Sequence, residues 1–531
     1  MGSPDLSAQQ SLHDDSIAFL STSPILWDCD TATPDDVQQV ETHGATVLLG
    51  RKHALKIKKP VKYDHMDFST PEQRRRFCEH EVKLNQRTAS ELYIGVFGIY
   101  LTDDHKISLT GSSTPIDYFI KMNRFADEDR LDNFIEREGI SEILGENLCT
   151  EISNFHLSIA PIKQLDAIPD FHSVIDQNFT QLDENCPVLF NLDDVRAYRK
   201  NLHETYKTLK PLERIRIDDG WIRAGHGDLH LQNICMVEGK PLLFDAIEYE
   251  DDFVVGDVLY DISFLIMDLW QKSQKLAANL IFNKYLFQMG WIKTPNSLAS
   301  LALLPFFLSM RSGIRTHVAA SRYAQSQNAN DKTRYADVAV DLLKDSKAFL
   351  ETRDPVVIAI GGFSGSGKST LAANLAHHIG DAPGALRIRS DVIRRLLIGW
   401  DDYSPMPQTA YTVAQSIAVY AHMKEIVTQA VTAGHSVIID AVLDRNEDRS
   451  AFSNLAKDLD AEFIGLWLSV DEHIMSDRIG GRTRDASDAT VEVMRAQMAR
   501  NPDAVTDWIN LDASGTETEI TNAALQLLPK L

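Results

Sequence analysis

Residues 362–369 read Gly-Phe-Ser-Gly-Ser-Gly-Lys-Ser, and they constrain the fold more than any other part of the chain. They fit the pattern G-x-x-x-x-G-K-[ST], between an apolar segment at 356–360 and a helical pattern that begins at Ser369. Glycines let backbone N–H groups close around phosphate oxygens, the helix N-terminus adds its positive end, and the lysine reaches the outer phosphates. The order predicts a strand, a phosphate-binding loop and a helix.

This loop supplies most of the nucleotide contacts that we expect, and the Ser369 hydroxyl is also a candidate Mg²⁺ ligand. The candidate nucleotide-binding residues are Gly362, Ser364, Gly365, Ser366, Gly367, Lys368, Ser369 and Thr370. Beyond the loop, apolar strands alternate with helices, which predicts a parallel sheet with helices on both faces.

Charged residues follow the later strands of this region. Asp391 and Arg394 lie one helical turn apart, where a carboxylate can accept the proton of an acceptor hydroxyl and an arginine can orient the acceptor or a phosphate; an exposed ion pair is the alternative. Asp440 ends a strand and is a candidate Mg²⁺ ligand or a buried structural acid. Arg478 and Arg482 belong to an arginine-rich segment that can close over phosphates or form a solvated basic face.

From about residue 354 onward the chain resembles the small P-loop kinases, a group that includes gluconate kinases, polynucleotide 5′-hydroxyl kinases and zeta-toxin-like enzymes. The D-x-x-R motif at 391–394 and the arginine-rich segment carry this resemblance. It implies that Asp391 is the acceptor base and that Arg478 and Arg482 steady the transferring phosphoryl group. It leaves the acceptor open.

The first half has a different motif, His226-Gly227-Asp228 with Asn233 five residues after the aspartate, followed by Asp245. These residues can supply a base and two Mg²⁺ ligands around one phosphate group. Residues 35–345 resemble the aminoglycoside phosphotransferase and choline kinase branch of the protein-kinase-like fold. The resemblance implies that Asp228 is the catalytic base, that Asn233 and Asp245 are metal ligands, and that His226 is a positioning residue.

Lys56 lies in an A-x-K motif like that of the kinase strand whose lysine pairs with nucleotide phosphates. Glu81 is its expected ion-pair partner. Lys58 and Lys59 compete for the role of Lys56, and Glu79 competes for that of Glu81. Two more acids, at positions 257 and 261, are expected to brace the catalytic loop.

With 531 residues the chain is too long for one hydrophobic core, so at least two domains are expected. We predict an N-terminal extension at 1–34, a protein-kinase-like α+β domain at 35–350 and an α/β P-loop domain with a parallel sheet at 354–531. The extension is expected to be loosely held. The apolar run 298–308 is too short to span a bilayer and is expected to form a buried helix kinked at Pro305.

Composition bears on the partners and the compartment. Lys and Arg number 53 against 76 Asp and Glu, and the net charge of −23 argues against a nucleic-acid or membrane partner. The five cysteines are scattered without C-x-x-C spacing, which fits a reducing compartment. No export signal is evident at the N-terminus, so a cytoplasmic protein is expected. The oligomeric state stays open.

The order of the two halves resembles bacterial bifunctional aminoglycoside phosphotransferase-like and ATP-binding proteins. This resemblance implies an ATP- and Mg²⁺-dependent phosphotransferase that acts on hydroxyl groups of small molecules such as sugars or amino-sugars. Three alternatives remain. One domain could be a nucleotide-binding regulator or scaffold, the P-loop domain could be a polynucleotide 5′-hydroxyl or zeta-toxin-like kinase, or the chain could modify aminoglycosides themselves.

Overall fold

The computed structural model of the chain divides into two compact units. Unit 1 comprises Met1–Pro169 and Gly220–Ile262, and unit 2 comprises Asp170–Asp219 and Ser263–Leu531. The boundaries of these units differ from those of the domains inferred from the sequence. The domain boundaries remain a prediction. The structure describes residues 6–27, 37–42, 44–63, 66–111, 114–164, 170–248, 254–400, 404–481, 486–500, 505 and 507–528.

Unit 1 contains a six-stranded antiparallel sheet with the order β1-β2-β3-β8-β6-β7. The first eight strands of the chain are β1 Gln38–Glu41, β2 Ala45–Leu49, β3 His53–Lys58, β4 Lys62–Tyr63, β5 Met66–Asp67, β6 Tyr93–Leu101, β7 Ile107–Ser108 and β8 Asp117–Asn123. Short apolar segments at 45–49 and 54–58, on either side of a turn at 50–52, predict two strands. These are β2 and β3, which pair antiparallel, so this prediction is confirmed.

Helices cover this sheet. Pro71–Asn85 packs its Cys78 and Val82 into a core cluster with residues of β3, β6 and β8. The expectation of a loosely held N-terminal end is wrong for residues 6–27. Leu6–Thr22 is a helix, and its Leu20 is buried with Trp27 in a second core cluster. Tertiary burial, which a polar composition does not reveal, holds this segment.

After the His226-Gly227-Asp228 motif, short apolar segments on either side of residues 238–241 predict a hairpin, and the structure confirms it. Its strands are β10 Ile234–Val237 and β11 Lys240–Leu243, which pair antiparallel. Glu238 and Gly239 have φ values of +49° and +79°, as a two-residue turn between twisted strands requires. A second pair joins β9 Ile222–Ala224 to β12 Val255–Asp257. The other α-helices up to residue 271, counting both units, are Pro24–Trp27, Leu131–Glu138, Glu142–Ser158, Phe171–Leu189, Leu192–Asp218 and Val258–Gln271.

The apolar run at 298–308 does not form the single helix kinked at Pro305 that the sequence predicts. A 3₁₀ helix, Pro295–Leu303, leads into the α-helix Leu304–Gln325, so Pro305 lies in the first turn of a helix and kinks none. Among the described residues, 295–325 is one stretch long and apolar enough to cross a membrane, and its most apolar window has a mean hydropathy of 1.4. In its most apolar window 78% is buried, which accounts for its composition without a membrane.

Unit 2 contains the predicted parallel sheet, with the order β14-β15-β13-β16-β17. All six residues of β13 are buried, so both faces of the sheet are covered. The strands are β13 Val356–Gly361, β14 Leu386–Arg389, β15 Val437–Asp440, β16 Glu462–Ser469 and β17 Ile509–Asp512. The remaining helices are Lys275–Gln288, Ala329–Ala348, Lys368–Ala376, Ser390–Ile398, Val413–Thr432, Asn446–Asp458, Glu472–Gly480, Val491–Ala499 and Glu517–Leu527.

Two buried asparagines of the helix Lys275–Gln288 bond to the backbone of edge strand β14. Asn279 Nδ2 donates to Ala385 O at 3.0 Å. Asn283 Oδ1 accepts from Arg387 N at 2.7 Å, and its Nδ2 donates to Ala385 O at 3.3 Å. These amides occupy the backbone groups that a further strand would use, and so they cover the edge.

We expect Asn283→Leu to lower the free energy of unfolding by about 1–3 kcal/mol, because it leaves the buried Arg387 N–H without this acceptor. The measurement is urea denaturation followed by tryptophan fluorescence. Leu276→Ala on the same helix is the control, since Leu276 is 49% exposed, and it should cost no more than about 0.5 kcal/mol. Equal losses for both variants would contradict the role of the amide.

Candidate functional site

The phosphate-binding loop in unit 2 depends on glycine at two positions. Gly365 and Gly367 have φ values of +86° and +94°, and a Cβ at Gly365 would lie 2.6 Å from Met475 O. Within the loop, Ser366 Oγ is buried and has no hydrogen-bond partner among the residues that the structure describes. Lys368 Nζ donates to Phe363 O at 2.9 Å, so the lysine bends back over its own loop.

The loop opens into a cleft of about 980 Å³ at the carboxyl ends of the strands. The loop residues that line it are Ser364, Gly365, Gly367, Lys368, Ser369 and Thr370. Further predicted residues that line the same cleft are Asp391, Arg394, Asp440 and Arg478. Gly362 and Ser366 are buried within the loop, and Arg482 lies outside the described residues.

Asp440 ends β15, as predicted, and it is 4% exposed. Its Oδ2 lies 3.5 Å from Arg389 Nε on the neighbouring strand. Ser369 and Asp440 thus both border the cleft, and the donor set of one hydroxyl and one carboxylate fits Mg²⁺, which takes few protein ligands besides phosphate oxygens. The glycine cradle and the unpartnered Ser366 Oγ fit a bound phosphate.

Arg394 is 8% exposed and therefore differs from an exposed ion-pair residue. Its Nη1 donates to Ala410 O at 2.7 Å, and its guanidinium lies 5.1 Å from the centre of the Tyr411 ring. Arg478 donates to Gly515 O at 3.2 Å and to Ser366 O at 3.4 Å, so it reaches the phosphate-binding loop. The catalytic roles of both arginines remain predictions.

Arg395 and Asp488 line or support this cleft, and sequence reasoning missed them. Arg395 Nη2 donates to Asp488 Oδ1 at 2.6 Å. Asp488 Oδ2 accepts from Tyr411 OH at 2.8 Å and from Met406 N at 2.7 Å. The two residues are 93 positions apart, and no local pattern indicates their pairing.

In unit 1 the predicted lysine and its partner are brought together. Lys56 Nζ lies 2.8 Å from Glu81 Oε1 and 2.7 Å from Asp245 Oδ1. Lys58, two residues along β3, lies 2.7 Å from Glu81 Oε2 and 2.7 Å from Glu248 Oε1. The competing residue Glu79 pairs with an arginine of its own helix instead. Lys58 and Glu248 extend the site beyond the residues that the sequence predicted, although residues two apart on a strand share a face.

In this cluster, burial and the neighbouring opposite charges shift the pKa values of the side chains in opposite directions. Burial alone would raise the pKa of Glu81, but Lys56 and Lys58 outweigh it and lower that pKa to about 2. Burial would lower the pKa of Lys56, and the charges of Asp245 and Glu81 raise it above its usual value instead. Burial raises the pKa of Glu248, against the opposing charge of Lys58. Of the two buried glutamates, Glu81 is therefore the more firmly ionised.

The predicted catalytic loop lies in the same unit. Asn233 Nδ2 donates to Asp228 Oδ2 at 2.8 Å and to Asp228 O at 2.9 Å. Asp261 accepts from the backbone N–H groups of His226 and Gly227 at 2.7 and 2.9 Å, so it braces the loop as expected. Asp257, expected to do the same, accepts from Leu259 N at the start of a helix.

The residues of this loop fit a nucleotide-bound Mg²⁺. Because Asn233 Nδ2 faces Asp228, the amide oxygen is the atom left for a cation. Asp245 has a side chain that is 42% exposed and a φ of +60°. No cluster of three or more His, Cys, Asp or Glu with metal-site geometry is found among the described residues, and Mg²⁺ bound mainly through phosphates needs none.

Comparison with known proteins gives a family match and similar proteins from mycobacteria. Residues 357–502 match the family model AAA_33, described as an AAA domain. Uncharacterized proteins of Mycobacterium tuberculosis and Mycobacterium bovis are each 29% identical over 476 residues, which covers 87% of this chain and 90% of theirs.

Solved structures resemble either part. The match to a gluconokinase from Sinorhizobium meliloti 1021 covers 33% of this chain and 91% of the gluconokinase, with a TM-score of 0.25 and 20% identity. A choline/ethanolamine kinase family protein from Mesorhizobium loti covers 64% and 95%, with a TM-score of 0.37 and 14% identity. Aminoglycoside 2'-phosphotransferase-IIIa covers 64% and 98%, with a TM-score of 0.34 and 12% identity. At these TM-scores the likeness carries no argument.

The fold assignment rests instead on topology and on the family model. An antiparallel sheet with a lysine–glutamate pair and a following hairpin precedes a parallel sheet with a phosphate-binding loop. The predicted combination of a protein-kinase-like fold and a P-loop fold is confirmed. Both folds imply nucleotide binding and a phosphotransferase class of protein.

We expect Glu81→Gln to destabilise the protein by about 3–5 kcal/mol near neutral pH, because it leaves two buried lysines short of a countercharge. The pKa of Glu81 is lowered from 4.5, so its stabilisation is present above 4.5 and is lost as the pH falls toward about 2. Denaturation of both proteins across this range should show a difference that shrinks with acid.

Glu79→Gln is the matched control on the same helix, since Glu79 is 53% exposed in a surface pair with Arg75. It should cost at most about 1 kcal/mol. A difference between Glu81→Gln and the unmodified protein that does not change with pH would contradict the ion-pair explanation.

Proposed function

We propose that the chain is an ATP- and Mg²⁺-dependent phosphotransferase with two kinase-type sites, each acting on a hydroxyl group of a small molecule such as a sugar or an amino-sugar. The observation that carries the proposal is the convergence of Lys368, Asp391 and Asp440 on one cleft of about 980 Å³. A nucleotide-binding lysine, an acceptor base and a metal-ligand acid are the parts that phosphoryl transfer needs.

In the P-loop site, Asp391 takes the proton of the acceptor hydroxyl as the acceptor oxygen forms its bond to the terminal phosphorus. The bond from that phosphorus to the departing nucleoside diphosphate breaks. Lys368 and Arg478 face the phosphates and neutralise the charge that moves to the leaving oxygen. Ser369 and Asp440 would hold Mg²⁺, which when bound neutralises the outer phosphates.

In the kinase-like site, Asp228 has the corresponding role of base. Glu81 fixes Lys56, which would otherwise be a flexible chain, so that the ammonium group faces the phosphates. Asn233 and Asp245 would hold the metal ion in this site. The chain is proposed to act in the cytoplasm on small acceptors. The net charge of −23 supports the absence of a nucleic-acid or membrane partner from this proposal.

ADP release by the full chain tests the proposal, with a panel of sugars, amino-sugars, nucleosides, aminoglycosides and a 5′-hydroxyl oligonucleotide. We expect Asp391→Asn to reduce one acceptor-dependent activity at least about 100-fold and Asp228→Asn to reduce another as much. Both variants should still bind MgATP, because neither change removes a phosphate contact.

Asp458→Asn and Asp103→Asn are matched controls, since both aspartates are exposed and lie outside the candidate sites. Acceptor-dependent release that neither Asp228→Asn nor Asp391→Asn reduces would contradict the two-site proposal and favour a regulator or scaffold. Salt-sensitive turnover of the oligonucleotide alone would favour a polynucleotide kinase.

A further inference from the structure

One wall of the P-loop cleft is an apolar strip on the helix Val413–Thr432. Val413, Ser416, Ile417 and Tyr420 all line the cleft, and their spacing of i, i+3, i+4 and i+7 places them on one helical face. Val413 is 69% exposed and Ile417 is 65% exposed. Two aliphatic side chains this exposed, one turn apart and within a cavity, are typical of a surface that a ligand covers.

The helix that carries the strip packs against the helix that carries the proposed acceptor base. Arg394 follows Asp391 on the same helix, and its guanidinium contacts Ala410 O and the Tyr411 ring. Its Nη1 also lies 3.5 Å from Ser416 Oγ, in the middle of the strip. Burial raises the pKa of Tyr411, the hydrogen bond to Asp488 and its charge raise it further, and the charge of Asp391 adds to the effect. The apolar strip and Asp391 therefore belong to the same end of the cleft.

The other end of the strip is polar. Burial raises the pKa of Tyr420, and the charges of Asp448 and Asp444 add to the effect. Both acids line the same cleft, and Asp444 Oδ2 is 3.4 Å from Arg500 Nη1. An acceptor in this cleft thus meets both an aliphatic surface and charged groups.

We propose that the acceptor of the P-loop site is a hydroxyl compound with an apolar or aromatic face, which packs on Val413 and Ile417 while its hydroxyl group faces Asp391. This inference rests on the proposed phosphotransferase function of that site. A fully hydroxylated sugar would turn hydroxyl groups toward two aliphatic side chains and lose their hydrogen bonds to water, whereas an apolar face loses none. Among the small hydroxyl compounds of the proposed function, the strip therefore favours those with an apolar face over simple sugars and sugar acids.

The test is ADP release by the full chain carrying Asp228→Asn, so that turnover reports the P-loop site. The acceptors are common hexoses and pentoses, each as the free sugar, the methyl glycoside and the phenyl glycoside, together with gluconate and benzyl alcohol. We expect the phenyl member of a set to have a kcat/KM at least about 10-fold above the methyl member. Ile417→Ser and Val413→Ser should each remove most of this preference by raising KM for the phenyl compound.

Ile417→Leu should retain the preference, because it keeps the apolar surface. Val340→Ser is the matched control, since Val340 is 46% exposed on a helix away from the cleft, and it should leave the preference unchanged. All variants change exposed side chains, and thermal unfolding checks that they are folded.

Four results would overturn the acceptor class while the phosphotransferase function stands. The first three are Asp391-dependent turnover of free sugars or gluconate that equals or exceeds turnover of the phenyl compounds, serine variants that slow polar and apolar acceptors alike, and serine variants that change the mass of the protein in solution. The second result would indicate that the protein itself covers the strip, and the third would indicate a second copy. Absence of MgATP binding to the P-loop site, measured by calorimetry, would instead overturn the proposed function and this inference with it. Retained binding without turnover of any apolar member overturns the acceptor class.

Discussion

The register of three parallel strands determines where the P-loop site forms. Ile360 and Arg389 are both aligned with Asp440, so β13, β14 and β15 end at one level. The residues that follow these strands emerge at the same edge of the sheet, and they include the phosphate-binding loop and Asp391. A slip of one residue would turn Asp440 to the opposite face of the sheet. The register is held by a sheet whose central strand is buried along its whole length.

Unit 1 positions its predicted phosphate-binding lysine in a different way, through a buried charge. Glu81 has no exposed surface and bonds to Lys56 and Lys58, which share a face of β3. Ionised groups in a low-dielectric interior are stable only when every charge has a partner, and Glu248 and Asp245 complete the set. Because Lys58 holds the second oxygen of Glu81, that carboxylate stays in place whichever direction Lys56 takes.

The parts of this architecture that the sequence predicted are those that local chemistry requires. A phosphate cradle needs closely spaced glycines and a lysine, and the β10–β11 hairpin needs a turn that tolerates positive φ at Glu238 and Gly239. Pairings across long separations could not be predicted in the same way. Lys58 and Glu248 are 190 residues apart, and lysine and glutamate are ordinarily exposed, so nothing in either segment indicates a buried pair. The N-terminal helix is likewise held by burial of Leu20 and Trp27 against the sheet, which its own composition does not show.

The support of the P-loop site also comes from outside the motifs that define it. β14 is an edge strand, and its outer backbone groups at Ala385 and Arg387 bond to Asn279 and Asn283 of a helix that precedes the P-loop by some distance in the chain. The same strand runs directly into the helix that begins at Ser390 and carries Asp391. A shift of the asparagine helix along β14 must therefore either break these bonds or move the start of the helix that bears the proposed base. The position of that base is a property of the whole unit, and the D-x-x-R motif alone does not determine it.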